Sequence, residues 1–167
     1  MITLRKISPT DAEPERQFLL SFPPEENGFE RPGDDVDLAN LENFKTFIQQ
    51  KLEREQGINL PADRVPDTMF WILKDNQLAG VGKVRHYLND TLRAHGGHIG
   101  IGIHPNFRSQ HVGSAALPLL IDYAKSLGEE KILITNDATN LPSRRITEKA
   151  GGVLDRIENN ASFYWIS

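Results

Sequence analysis

The chain has 167 residues, of which 38% are hydrophobic and 25% are charged, and its formal net charge at pH 7 is −4. This length and composition suit one globular domain over residues 1–167 and exclude a disordered chain. The lack of cysteine excludes a disulfide framework, a thiolate nucleophile and a thiolate metal site, and the mild acidity offers nucleic acid no basic face.

Membrane and secretion signals are missing from the sequence as well. No apolar stretch approaches the roughly 18 residues of a membrane span. Residues 1–6 do not follow the basic, apolar and small-residue order of a signal peptide. We therefore expect a cytoplasmic protein without a membrane partner, and the weak negative charge favours a small or cationic substrate.

The first third of the chain predicts one strand and two helices. Alternation favours a strand over Ile2–Lys6, and Asp11 is placed to cap a helix that Pro23 stops. A charged loop with glycine and proline follows over residues 25–35. An apolar stripe then predicts a second helix from about 38 to 56.

The remaining two thirds predict strands and helices in alternation. Asp75 and Asn76 supply a tight turn, so the strands on either side form an antiparallel hairpin. A helix between the fourth and fifth predicted strands suggests a parallel crossover. The predicted strands are 68–74, 77–88, 98–104, 131–135, 153–157 and 162–166, and the helices are 110–127 and 143–149.

The strand predicted at 98–104 has two unlike faces. Ile99, Ile101 and Ile103 point to one side, whereas Gly100 and Gly102 leave the other side bare. Glycine inside a strand indicates the close approach of another group. The strand is therefore a candidate wall of a ligand site.

Directly after this strand, the run from Ile101 to Ala116 turns into the start of a helix. A helix start carries about four N–H groups without internal partners and roughly half a positive charge. Residues 110–114 would supply these groups, and the small side chains after Gly113 let a diphosphate approach the backbone. Arg108 is placed to add a charge-assisted contact.

This turn resembles the signature R/Q-x-x-G-x-G/A of the GNAT superfamily of acetyl-CoA-dependent acyltransferases. Arg108, Val112 and Gly113 match it, and His111 stands where the pattern usually has its first glycine. The resemblance implies an α/β (mixed α+β) fold, the GNAT fold. Its central mixed, mostly antiparallel sheet splays between the fourth and fifth strands and is flanked by helices. The resemblance also implies acetyl-CoA as co-substrate.

The resemblance continues over residues 136–152, where the family has an asparagine, a small residue and a helix that ends in glycine. Asn140 and Ser143 fit positions near the pantetheine or diphosphate, and Glu148 and Gly151 also fit. The family's tyrosine general acid is replaced by Thr147, a far poorer proton donor. Residues 84–101 look like a predicted-acetyltransferase branch whose substrates are mostly unassigned.

The resemblance and the turn together give one set of cofactor-binding residues. They are Ile101, Gly102, Ile103, Arg108, Ser109, Gln110, His111, Val112, Gly113, Ser114, Asn140 and Ser143.

The catalytic residues are less well defined by the sequence. The family often has a glutamate or histidine base on the strand that holds Ile101, and the resemblance makes His98 a candidate general base, although alternation puts it on the opposite face unless a bulge intervenes. Tyr164 is a further candidate, as are His86 and Tyr87. We expect no metal, because the clustered histidines of this region lack an accompanying carboxylate.

These observations predict an N-acetyltransferase that moves an acetyl group from acetyl-CoA to a primary amine of a small molecule or peptide by direct attack. The chief alternative is a noncatalytic acyl-CoA-binding or sensing module, which Thr147 favours. A nucleotide-phosphate site on another α/β fold is opposed by the lack of a lysine-bearing phosphate loop or a G-x-G-x-x-G motif. A homodimer is a possible assembly.

Overall fold

The structure is a computed structural model, and it describes residues 1–26, 29–33 and 36–167. The strands are β1 (Ile2–Lys6), β2 (Glu25–Glu26), β3 (Phe29–Glu30), β4 (Asp67–Lys74), β5 (Gln77–Arg85), β6 (Ile99–Ile103), β7 (Ile132–Asp137), β8 (Val153–Glu158) and β9 (Ala161–Ile166). The helices are α1 (Ala12–Leu20), α2 (Leu41–Glu55), α3 (Asp90–Ala94), α4 (Val112–Ser126) and α5 (Leu141–Lys149), and a 3-10 turn spans Pro105–Phe107.

The strands form two main antiparallel sheets. One has the order β1-β4-β5-β6 and the other the order β7-β9-β8, while β2 and β3 make a separate small hairpin. Asp75 and Asn76 both have positive φ, which suits the tight turn that the right-handed twist of a hairpin requires. Asn159 and Asn160 do the same between β8 and β9. The predicted hairpin and the mostly antiparallel sheet are confirmed.

The two sheets meet at one short seam, which joins the start of β6 to the start of β7. The N–H of His98 donates to the carbonyl of Leu133 at 2.8 Å, and Gly97 and Ile134 form an isolated bridge of antiparallel geometry. Gly97 has a φ of +62°, and a Cβ there would lie 2.5 Å from the Leu133 oxygen. The seam therefore depends on a backbone that only glycine adopts with ease.

Beyond this seam β6 and β7 separate, and no ladder joins them in the parts of the chain that the structure describes. The splay that we expected between the fourth and fifth predicted strands is confirmed, since those strands are β6 and β7. The parallel pairing that we expected between them stays a prediction: the described residues form no ladder there, and the one isolated bridge, of antiparallel geometry, lies where the two strands begin.

Helices cover both faces of the larger sheet. Alternation along β4 sends Trp71 into a core with Phe44, Phe47 and Ile48 of α2, whereas Phe70 on the other face packs with α4. Thus α1 and α2 lie on one side, and α4 on the other. This division defines the two faces on which a ligand can approach β6.

Several element boundaries differ from the expected ones for local reasons. Helix α2 begins at Leu41 rather than 38, because the Asn40 side chain accepts the N–H groups of Glu42 and Asn43 at 2.8 and 3.2 Å. Strand β5 ends at Arg85 rather than 88, and Asn89 caps the unpredicted helix α3. The Asp11 cap is wrong, since its side chain makes no capping hydrogen bond.

The loop expected over residues 25–35 contains the hairpin of β2 and β3, and its residues 27, 28, 34 and 35 lie outside the described residues. None of the described helices has the length and apolarity needed to cross a membrane.

Candidate active site

The edge of β6 that faces the splay carries backbone groups without strand partners. Arg85 donates its N–H to the carbonyl of His98, and His104 donates to Ala79, so the even-numbered residues of this strand bond to β5. In an antiparallel pair the residues between them point their N–H and C=O groups the other way. The backbone groups of Ile101 and Ile103 therefore face the opening toward β7.

The N-terminus of α4 lies at the end of this open edge. Going from residue 110 along the chain, the first backbone N–H that donates a hydrogen bond is that of Ala115, which bonds to the His111 carbonyl at 3.1 Å. Among the described residues the N–H groups of 110–114 donate to none, and the His111 side chain does not cap the helix. Residues 108–111 are exposed, so these amides form an accessible anion site.

The chain reaches this helix through two residues of positive φ, Ser109 at 60° and His111 at 62°. The left-handed conformation at His111 explains why the signature has glycine at this position. Histidine keeps the same backbone path, because it is among the residues that adopt this region more readily than most. The departure from the motif therefore leaves the shape of the loop intact.

Gly113 has a packing function besides leaving space for a ligand. A Cβ at this position would lie 3.3 Å from Cδ1 of Ile146 on α5. Helix α5 can therefore approach the first turn of α4 because this residue has no side chain. Ser114, the next residue, donates its hydroxyl to the His111 carbonyl at 3.1 Å.

Arg108 is held in place by an ion pair. Its guanidinium makes two hydrogen bonds to the Glu26 carboxylate, at 2.6 and 3.0 Å, and its Nε donates to the Ile103 carbonyl at 3.2 Å. The hydrogen bond from Arg108 lowers the pKa of Glu26. An incoming diphosphate would compete with Glu26 for this arginine.

Lys74 is a second cation beside the helix start, and the sequence argument missed it. Its Nζ donates to the side-chain oxygen of Gln110 at 2.5 Å. The residue ends β4, which is separated from this loop by more than 30 residues of chain. Only the pairing of β4, β5 and β6 brings it there, so no local motif could have revealed it.

Across the opening, β7 presents a buried asparagine with an unused acceptor. Asn136 donates its Nδ2 to the Ser143 hydroxyl at 2.7 Å, while its Oδ1 is buried without a hydrogen-bond partner. A buried acceptor left without a donor is unfavourable by about 1–3 kcal/mol. Asn136 is therefore an additional candidate for contact with a ligand N–H, and the asparagine of the downstream motif was the signal for it.

Asn140 and Ser143 both have partners within the chain. The Asn140 side chain caps α5 by accepting the N–H of Ser143 at 3.3 Å. Ser143 orients Asn136 through its hydroxyl and accepts the Thr147 hydroxyl at its carbonyl, at 2.9 Å. Cofactor contact by these two residues stays a prediction, to which the structure adds these supporting contacts.

His98 is fully buried, and both of its ring nitrogens are engaged. Its Nδ1 accepts the N–H of Leu133 at 2.9 Å, and its Nε2 lies 3.0 Å from the Glu129 carboxylate. Nδ1 must therefore be unprotonated and Nε2 must carry the hydrogen. Burial lowers the pKa of His98, although Glu129 opposes this. A general-base function stays a prediction that this geometry opposes, since the ring serves to fasten β6 to β7.

Tyr164 lies on β9 under α5 and is also fully buried. Its hydroxyl donates to Glu148 at 2.6 Å and accepts from Arg144 at 3.0 Å. Burial and the Glu148 carboxylate raise the pKa of this tyrosine. Because its hydroxyl already donates a hydrogen bond to a carboxylate, the geometry opposes the prediction that Tyr164 takes part in catalysis.

The bare face of β6 is partly covered by the hairpin of β2 and β3. A Cβ at Gly102 would lie 2.4 Å from the Phe29 ring, so this glycine makes room for an aromatic side chain of the chain itself. Among the described residues, a Cβ at Gly100 would meet nothing nearer than Cβ of Lys83, at 4.0 Å. These residues therefore leave the space over Gly100 open on the face of α1 and α2.

The remaining candidates do not join this site. His86 shares a hydrogen bond with the Thr68 hydroxyl at 2.8 Å, and Tyr87 is about half exposed. Within the described part of the chain, no three potential metal-ligating side chains come together.

The site is thus an open strand edge that leads into an anion-binding helix start, on a mixed α/β sheet. A family model described as the acetyltransferase (GNAT) family matches residues 36–152. The protein is therefore an acyltransferase by class. More narrowly, the chain belongs to the GNAT acetyltransferase family.

Solved structures of acetyltransferases share this fold at low sequence identity. A probable acetyltransferase has a TM-score of 0.69 and 20% identity, with 99% of this chain and 92% of that chain covered. RimL, a ribosomal L7/L12 alpha-N-protein acetyltransferase in complex with coenzyme A, has a TM-score of 0.66 and 17% identity, with 99% and 93% covered. The N-acetyltransferase PseH of Campylobacter jejuni, in complex with acetyl coenzyme A, has a TM-score of 0.65 and 12% identity, with 100% and 99% covered.

A search of curated protein sequences gives no match.

Proposed function

We propose that the protein transfers an acetyl group from acetyl-CoA to a primary amine of a small molecule or peptide. The observation that carries this proposal is the set of unpaired N–H groups over residues 110–114, at the end of the open edge of β6. Amides and dipole at a helix start bind phosphate. The same corner offers cations at Arg108 and Lys74 for a diphosphate.

The edge of β6 suits the pantetheine arm. Ile101 and Ile103 turn backbone donors and acceptors toward the opening, and Asn136 offers a buried oxygen from the other wall. In this arrangement the Ile101 N–H polarises the thioester carbonyl, a contribution of roughly 3 kcal/mol where such donors have been removed from other enzymes. The amine then attacks directly, without a covalent enzyme intermediate.

The departing thiolate receives little help from the family's usual acid position. Thr147 stands there, and its hydroxyl already donates to the Ser143 carbonyl at 2.9 Å. We therefore propose that the thiolate takes its proton from the acceptor nitrogen or from water. A thiolate is a good leaving group because an ordinary thiol pKa is about 8.5.

The same substitution favours a second candidate function, a noncatalytic acyl-CoA-binding or sensing module. Both candidates bind acetyl-CoA, but only the enzyme releases coenzyme A faster than background when an amine is present. Steady-state coenzyme A release with a panel of amines separates them. A protein that binds acetyl-CoA tightly and turns over no amine would support the sensing module.

Similar structures suggest the first amines to test. RimL is a ribosomal L7/L12 alpha-N-protein acetyltransferase, and a chimera related in fold is a spermidine N-acetyltransferase. The panel should therefore contain spermidine and a peptide with a free N-terminus. A cytoplasmic location, a single domain over residues 1–167 and a possible homodimer stay predictions.

The binding step is tested by Gly113→Asp. A carboxylate at this position would place bulk and like charge where the diphosphate is expected to bind, so acetyl-CoA affinity should fall by at least about 100-fold, or ~2.7 kcal/mol. Isothermal calorimetry and thermal stabilisation by acetyl-CoA measure this affinity. Unchanged affinity would refute the proposed site.

Gly113→Ala is the matched control. Its methyl group would lie 3.3 Å from the flexible end of Ile146, so the fold should adapt with little loss of stability. It adds bulk without charge, and its affinity should stay closer to that of the unsubstituted protein. Melting temperatures of both variants without ligand separate loss of binding from loss of folding.

A further inference from the structure

Lys83 lies beside the position proposed for the reacting carbonyl. It pairs with Gly100 across β5 and β6, and Gly100 directly precedes Ile101 in the chain. Its other cross-strand partner is Met69, a member of the core under α1 and α2. Because directly opposite residues share a face, the Lys83 side chain leaves the sheet away from α4, on the side where the space over Gly100 is open.

The amine of Lys83 has no hydrogen bond or ion pair with any residue that the structure describes. Three other titratable side chains of the region are engaged, whereas Asp67 on β4 keeps one buried carboxylate oxygen without a hydrogen-bond partner among the described residues. His98 and Tyr164 are bonded as described above, and His104 accepts the Asn106 N–H at 3.1 Å and contacts the Ser21 hydroxyl at 3.0 Å. Lys83 is partly buried, and part of its side chain remains accessible to solvent.

The surroundings of Lys83 disfavour the charged ammonium form. Burial is the largest cause, and the cations of Lys51 on α2, Arg85 on β5 and Arg64 before β4 add to it, while Asp67 on β4 opposes them. The pKa of Lys83 falls from 10.5 to about 7. A lysine of ordinary pKa would be fully protonated at neutral pH, whereas the lowered pKa makes the free-base form of this amine accessible there.

We infer that the amine of Lys83 is the general base of the acetyl transfer, accepting a proton from the ammonium form of the acceptor in the space over Gly100. This inference rests on the proposed function. It assigns the function of base to a residue on β5 rather than to His98, whose nitrogens are already bonded.

The proton balance of the reaction is simple. The neutral lysine takes one proton from the acceptor R–NH₃⁺, and the resulting amine forms the new C–N bond at the thioester carbonyl. The C–S bond breaks as the tetrahedral intermediate collapses. A second proton passes from the nitrogen to the leaving thiolate, and the lysine returns its proton to solvent.

Lys83→Arg and Lys83→Gln test this assignment together. Arginine keeps the positive charge but does not lose its proton in proteins, and glutamine has neither property. Both variants should lose about 100-fold or more in kcat/KM, with acetyl-CoA affinity within about twofold of the original. Lys45→Gln, which removes an exposed lysine on α2, is the control and should keep full activity.

The pH profile distinguishes a general base from the other functions that Lys83 could have. The unsubstituted enzyme should show a limb of apparent pKa near 7, with about one tenth of its plateau kcat/KM at pH 6, and this limb should be missing in Lys83→Arg. If Lys83→Arg stays active while Lys83→Gln does not, the lysine holds an acidic group of the acceptor and the inference is overturned. Near-normal activity in both variants overturns it as well.

A readout that needs no acceptor keeps the inference separate from the proposed function. NMR titration of the lysine side-chain carbons, assigned with Lys83→Arg, should give one lysine with a pKa near 7 in the presence of acetyl-CoA. A value near 10.5 would overturn the base while leaving the acetyltransferase proposal intact. Failure of the unsubstituted protein to bind acetyl-CoA would overturn both.

Discussion

The ion pair between Arg108 and Glu26 leads to a prediction about cofactor affinity. If the diphosphate binds at residues 110–114, it competes with the Glu26 carboxylate for the same guanidinium donors. Glu26→Gln weakens the competitor without changing its size. We therefore expect this variant to bind acetyl-CoA more tightly than the original protein.

The size of the effect follows from the exposure of the pair. The side chains of Arg108 and Glu26 are 40% and 36% exposed, and an exposed ion pair is worth about 0.2–1 kcal/mol. Since 1.4 kcal/mol corresponds to tenfold in affinity, releasing the arginine should tighten binding roughly 1.5- to 5-fold. The gain should shrink at high salt, because screening weakens the pair.

Isothermal calorimetry at two salt concentrations measures this change. Glu30→Gln is the matched control, since it removes one negative charge from the same hairpin, whereas the carboxylate that Arg108 binds is that of Glu26. If Glu26→Gln binds acetyl-CoA no more tightly than Glu30→Gln does, Arg108 does not exchange partners when the cofactor binds. The assignment of Arg108 as a cofactor residue would then be refuted.

Two further predictions concern stability. His111→Gly should raise the free energy of unfolding by about 0.5–1 kcal/mol. Histidine at a φ of 62° is strained, and relief of this strain should exceed the cost of the extra chain entropy that glycine brings to the unfolded state. Denaturant unfolding measures this free energy, and a decrease would mean that the imidazole makes stabilising contacts. Burial raises the pKa of Glu15 to about 7 from 4.5, so the folded state binds the extra proton and stability falls as pH rises from about 4.5 to 7. The loss is at most roughly 3 kcal/mol, and it should be missing from Glu15→Gln; equal pH slopes in the two proteins would contradict it.

Local patterns were enough to predict most of the sheet and the turn that leads from β6 into α4. Alternation placed Ile101 and Ile103 on one face of β6, and the run of small residues after Gly113 marked a helix start with accessible amides. These features depend on a few neighbouring residues, so the sequence carries them directly. The splay between β6 and β7 came from the family resemblance rather than from the residues themselves.

The contacts that decide the catalytic residues are long-range, and the sequence could not supply them. The sequence leaves the His98 ring without partners, but in the structure its two nitrogens bond to the Leu133 N–H and the Glu129 carboxylate. No local pattern singled out Lys83, because its lowered pKa arises from burial and from cations such as Lys51 on α2, which only folding brings near. Phe29 likewise covers Gly102 from more than 70 residues away.

The seam at Gly97 and His98 also bears on how large an acyl group the enzyme takes. If the thioester lies between β6 and β7 as proposed, the acyl tail points toward the closed end of a wedge. That end is closed by the backbone hydrogen bond from His98 to Leu133 and by the buried His98 ring, which accepts the Leu133 N–H. Tolerance for propionyl or longer donors would therefore require the two sheets to part, so acetyl selectivity should resist single substitutions along the wedge, apart from those at His98.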